Sequence, residues 1–114
     1  MYEALTDYIP YLQKHKTAFK GEPSFHQAAY DFVKNFHGFN LKTFRDVLAD
    51  NSIEWGEYRE ADYMSLDDVG LAALIFGAVR ADHMCEGILD EYIADGTMIC
   101  WLQRLKELDE TTNT

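Results

Sequence analysis

The stretch from Leu66 to Val79 limits the possible folds more than any other part of the chain. Leu66, Val69, Leu71, Ala72, Ala73, Leu74, Ile75, Phe76, Ala78 and Val79 place apolar groups on nearly every side of a helix. Such a helix has no face to offer water, so it must be surrounded by other elements. The run is too short to cross a membrane, which takes about 20 consecutive apolar residues. The surrounding material must come from the rest of a chain of 114 residues, 47% of them hydrophobic. That is one domain's length, enough for a core without disulfide staples.

Helical periodicity recurs on both sides of this segment. Leu5, Ile9 and Leu12, with Tyr2, Tyr8 and Phe19 nearby, step by three and four. Pro10 marks a kink there or the first turn of a helix beginning near Asp7. Residues 20–23 (Lys-Gly-Glu-Pro) read as a loop. Ser24 to Gln27 has the capping-box form. It opens a helix carrying Phe25, Ala28, Ala29, Phe32, Val33 and Phe36 on one face, with Gly38 as its C-cap. Asn40 predicts the N-cap of a short helix from Leu41 to Ala49, stapled by Phe39 and Phe44. Asp50 to Tyr63 is irregular. Ser65 to Asp68 restarts the pattern, Gly70 and Gly77 offer a groove for a neighbouring helix, and Glu86 to Ala94 is amphipathic up to Asp95-Gly96. Thr97 predicts the cap of a last helix bearing Met98, Trp101, Leu102, Leu105 and Leu108. The expectation is an all-α fold: one compact bundle of five or six short helices over residues 1–110, packed around 66–79, with 111–114 frayed.

Charge narrows the partners. Twenty acids and ten bases give a net charge of −10. The excess lies in residues 46–114, where sixteen acids meet only Arg59, Arg80, Arg104 and Lys106, while residues 1–45 are slightly basic. Such a chain repels nucleic-acid phosphates and anionic lipid at long range; its charge either suits a protein partner with a basic surface or only keeps a small protein soluble. Its opening residues lack the basic-then-apolar order of a signal peptide, which points to the cytoplasm. There a reducing environment keeps Cys85 and Cys100 as thiols, and both read as small buried hydrophobes.

From Arg80 the chain reads Arg-Ala-Asp-His-Met-Cys-Glu-Gly-Ile-Leu, then Gly96-Thr97-Met98-Ile99 and Leu102-Gln103-Arg104-Leu105. This resembles an uncharacterised family of small bacterial helical domains of unknown function with an R-x-E-R-F-C-D-G box. The resemblance lies in Arg80, Cys85, Glu86, Gly87, Gly96, Arg104 and Leu105 and departs at Asp82, His83 and Met84. The resemblance implies no activity.

Candidate chemistry centres on this segment and on the irregular one. A buried Arg80 would need carboxylate partners, so the box predicts a clamp of Arg80 on Asp82 or Glu86; the functional version turns Arg80 and His83 into a pocket for an anion. Asp82, Glu86 and Asp90 recur every fourth residue and would form an acidic stripe if one helix carried them all. Glu54, Glu57 and Glu60, with Trp55 and Tyr58 between them, read either as an interface of surface aromatics ringed by charge or as a segment whose aromatics cover the open side of the bundle. The layout has a distant likeness to helical nucleotide pyrophosphatases, which set carboxylate pairs on adjacent helices around magnesium, but the second pair is missing. His15, His26, His37 and His83 lack zinc-site spacing, and no nucleophile elbow or phosphate loop occurs. The sequence therefore predicts a non-enzymatic protein-interaction module without a cofactor, one form of which is a phage- or mobile-element inhibitor that imitates the charge of DNA. The alternative is a small magnesium-dependent nucleotide hydrolase.

Overall fold

A computed structural model describes residues 2–19, 24–36, 43–54, 57, 58 and 60–112. Among them the chain forms α1 (Glu3–Thr6), α2 (Ile9–His15), α3 (Phe25–Asn35), α4 (Phe44–Asp50), a 3-10 turn (Tyr63–Ser65), α5 (Asp68–Met84), α6 (Ile88–Ala94) and α7 (Thr97–Thr112). The fold is all-α, and α1 is a single turn. No described helix is long and apolar enough to cross a membrane.

Local chemistry sets the boundaries. Pro10 lies in the first turn of α2, where its missing N–H costs no hydrogen bond. The Ser24 hydroxyl accepts from the Gln27 amide and starts α3 as the capping motif predicts. Two starts differ from expectation. α4 opens at Thr43, not Asn40: Thr43 Oγ1 accepts from the Asp46 amide and Asp46 Oδ2 accepts from the Thr43 amide, a complete capping box. α5 opens at Asp67, not Ser65, because Asp67 Oδ1 accepts from Gly70 N at 2.8 Å. Ser65 lies in the 3-10 turn. At α7, the Gly96 carbonyl takes the first helical bond from Cys100, so Thr97 is inside the helix and not its cap. The loop at 20–23, the Gly38 cap and the Phe39–Asn40 staple fall outside the described residues.

Helix α5 is the central element its composition requires. Leu71, Ala72, Ala73, Leu74, Ile75 and Ala78 have no exposed surface, and α3, α4, α6 and α7 all pack on it. α7 is a second hub: it touches α1, α2, α5, α6 and the 3-10 turn, burying Met98, Trp101, Leu102 and Leu105. The Trp101 ring stands edge-on to Tyr92 of α6, centroids 5.6 Å apart. Each such side chain contributes about 1.5–3 kcal/mol by leaving water.

The space at Gly77 is used differently from expectation. There the ring of Tyr58, from the irregular segment, presses on the glycine. A Cβ on Gly77 would lie 2.7 Å from Tyr58 Cζ. Tyr58 is 1% exposed and closes the core on that side.

Candidate functional site

Helix α5 runs past Val79 for another turn. Arg80 therefore does not end it but lies just before its last turn, which carries Asp82 and His83. Position 82 follows the buried Ala78 and Val79 by four and three residues, so Asp82 shares their core-facing side and is 7% exposed. Position 80 is two residues away, about 200° round the helix, and Arg80 faces solvent. The expected Arg80 clamp is not formed. Helical geometry points the two side chains apart, and Asp82 is satisfied by other groups.

Those groups come from two other elements. The Tyr30 hydroxyl of α3 donates to Asp82 Oδ2 at 2.7 Å. The amides of Gly87 and Leu89, at the start of α6, donate to Asp82 Oδ1 at 3.1 and 3.2 Å. A carboxylate that enters the core thus ties three helices together. Gly87 sits at φ +103°, where only glycine is unstrained, and this turns its amide towards Asp82. Burial pushes the Asp82 carboxyl up, but the bonds from Tyr30, Leu89 and Gly87 and the nearby His26 outweigh it and hold the group below the usual carboxylate range. The same bond to Asp82, with burial and the charges of Asp82, Glu86 and Asp90, pushes the Tyr30 hydroxyl up to about 12.

Around this node lies a recess of about 350 Å³ lined by His26, Tyr30, Asp82, His83, Glu86, Gly87 and Asp90. The His83 and Tyr30 rings face each other with centroids 4.7 Å apart. His26 Nε2 lies 3.4 Å from Asp90 Oδ1. Asp82 has three donors, while Glu86 and Asp90 stand exposed at the rim. No lysine or arginine is among the described residues lining the recess.

Of the predicted site residues, Asp82, His83 and Glu86 meet here, and Arg80 does not. No single helix carries Asp82, Glu86 and Asp90, so the helical stripe does not form: α5 stops at Met84, and α6 brings Asp90 back to the same recess. His26 and Tyr30 were not singled out. Their spacing of four put them on one face of α3, but which element that face would meet was not in the local pattern.

The second group separates from the first. Glu54, Glu57 and Glu60 line one cleft with Asp62 and Ser65, and Glu54 also borders an apolar groove beside Leu48 and Ile53. Trp55 lies outside the described residues. Tyr58 is in the core, so it is no surface contact. The cysteines also differ from expectation: Cys85 is exposed just past α5, and Cys100 is half-buried. Among the described residues no group of three or more His, Cys, Asp or Glu is arranged to hold a metal ion.

The sequence matches the model of a family of unknown function, DUF6508, over residues 1–111, and the chain belongs to that family. No curated protein and no solved structure matches it.

Proposed function

We propose that this member of the DUF6508 family is a non-enzymatic protein-interaction module, and that the recess between α3, α5 and α6 receives a basic side chain of its partner. The observation that carries the reading is the lining of that recess. Two exposed carboxylates, Glu86 and Asp90, stand beside the paired Tyr30 and His83 rings, and no lysine or arginine is among the described residues that line the recess. Carboxylates give charge-assisted hydrogen bonds to a guanidinium or ammonium, and an aromatic face attracts the same group. The net charge of −10 steers a basic surface towards the molecule. The alternative, a magnesium-dependent nucleotide hydrolase, has no donor cluster among the described residues to support it.

The test is an NMR titration of the ¹⁵N-labelled chain with a capped tetra-arginine peptide at pH 8. Amides of α3, the end of α5 and α6 are expected to shift. The double variant Glu86→Gln/Asp90→Asn should bind at least ten times more weakly, and Glu54→Gln/Glu57→Gln/Glu60→Gln about as well as the native chain. The reverse pattern would move the interface to the Glu54–Glu60 cleft, as a DNA-imitating inhibitor would use it. Absence of any shift would sink the reading.

A further inference from the structure

The recess holds two imidazoles among its carboxylates, and neither donates a hydrogen bond to Asp82. Asp82 is anchored by Tyr30, Gly87 and Leu89 without either ring. His83 is exposed on the last turn of α5, and His26 is half-exposed on α3. Both line the same space that the proposed function assigns to a cation.

We infer that the recess is a pH-gated socket: protonation of His26 and His83 closes it to a basic side chain, and their deprotonation opens it. The inference rests on the cation-binding reading above. The groups facing the two rings come from every wall. From α3 there is Tyr30, from α5 Asp82, from the turn Glu86 and from α6 Asp90. With both rings neutral the three carboxylates give the recess three negative charges; with both protonated, one. His26 Nε2 is already placed at 3.4 Å from Asp90 Oδ1. A proton there converts a contact into an ion pair and occupies one of the two carboxylates that a guest needs. His83 protonated beside Tyr30 adds a second positive charge to the lining of the recess and repels a cationic guest. Histidine is the side chain whose charge ordinarily changes between pH 5 and 8, and the test below spans that interval. Asp82, held in its charged form by its three donors, stays an anion throughout. Coupling of this kind is reciprocal: a bound cation must also make both imidazoles harder to protonate.

The experiment measures binding of the capped tetra-arginine peptide at pH 8 and pH 5.5. The probe keeps its charge over that range. Native protein should bind at least ten times more weakly at pH 5.5, and in the His26→Gln/His83→Gln variant the ratio between the two pH values should fall to within twofold, whatever its absolute affinity. Equal native binding at both pH values would overturn the gate and leave the socket standing. An equal loss in the double variant would assign the effect to other groups and overturn it too. No binding even at pH 8 would overturn the socket, and the gate with it.

Discussion

Both ends of α5 are held by a tyrosine hydroxyl on an aspartate, and the two bonds answer different problems. At the start, Tyr2 Oη donates to Asp68 Oδ2 at 2.9 Å. At the finish, Tyr30 Oη donates to Asp82 Oδ2 at 2.7 Å. Asp68 sits in the first turn beside the cap Asp67, where free amides and the helix dipole favour negative charge. It would be comfortable there with or without Tyr2. Asp82 sits in the last turn, where the carbonyl ends already concentrate negative charge, and its position on the core face takes it out of water. It is tolerated only because α3 and the start of α6 bring it three donors. The first bond adds a link between α5 and the N-terminal segment. The second is a condition for α3, α5 and α6 to meet as they do, and it builds the floor of the recess.

The comparison breaks most sharply at Asp82. Replacing Asp82 with Ala leaves the partly buried Tyr30 hydroxyl and Gly87 amide and the buried Leu89 amide without their acceptor. A loss of about 3 kcal/mol is expected by denaturant unfolding, a large part of what a domain this size holds. The folded state holds this carboxyl below its ordinary range. Its contribution is therefore complete above about pH 4 and is lost as pH falls through the lower folded value. The variant should show a shallower acid transition than the native chain. A variant as stable as the native protein would remove Asp82 from its place in the fold.

A smaller effect comes from the tyrosines. Tyr2→Phe and Tyr30→Phe each keep a ring in place and remove one hydroxyl bond, at about 1 kcal/mol near neutral pH. Both hydroxyls are raised in the folded protein, Tyr2 by burial and by Asp68, and Tyr30 by Asp82 first and burial second. A raised phenol contributes stability that is whole below the unfolded value of about 10 and lost as pH climbs above it. Chemical unfolding from pH 8 to 11 should show the native chain losing stability, and each variant losing less. Equal slopes in all three would mean that neither bond matters in the way described.

The smallest effect is expected at Arg80. With its side chain in solvent, and Asp82 satisfied elsewhere, Arg80→Ala should change stability by no more than about 0.5 kcal/mol. A drop of several kcal/mol in a thermal melt would restore the arginine clamp and demote Tyr30 as the partner of Asp82.

Arg80 also shows how much of the candidate site was legible in advance. The segment from Arg80 to Gly87 stood out as unusual, and three of its polar residues do meet in one recess. The pairing went wrong because Arg80 and Asp82 are neighbours in sequence, whereas a helix sets residues two apart on opposite sides. His26 and Tyr30 had no local signal of their own. Their importance comes from α3 crossing the end of α5, more than fifty residues further along the chain.

The sequence by itself determined that this chain is helical, that the apolar helix now seen as α5 is central, and where α3 begins and α6 ends. Each of these follows from interactions within one or two turns: a side chain on an amide three residues on, a glycine at positive φ, an apolar surface with no face for water. Only the tertiary structure decided that Tyr58 fills the space above Gly77, that α7 shares the centre with α5, and that Asp82 answers to Tyr30 and the α6 amides. Those contacts join positions distant along the chain, and their energies depend on which polar groups meet after the helices have packed. A buried carboxylate is costly wherever it lies, so the sequence could say that Asp82 needed donors, but the packing alone chose which ones.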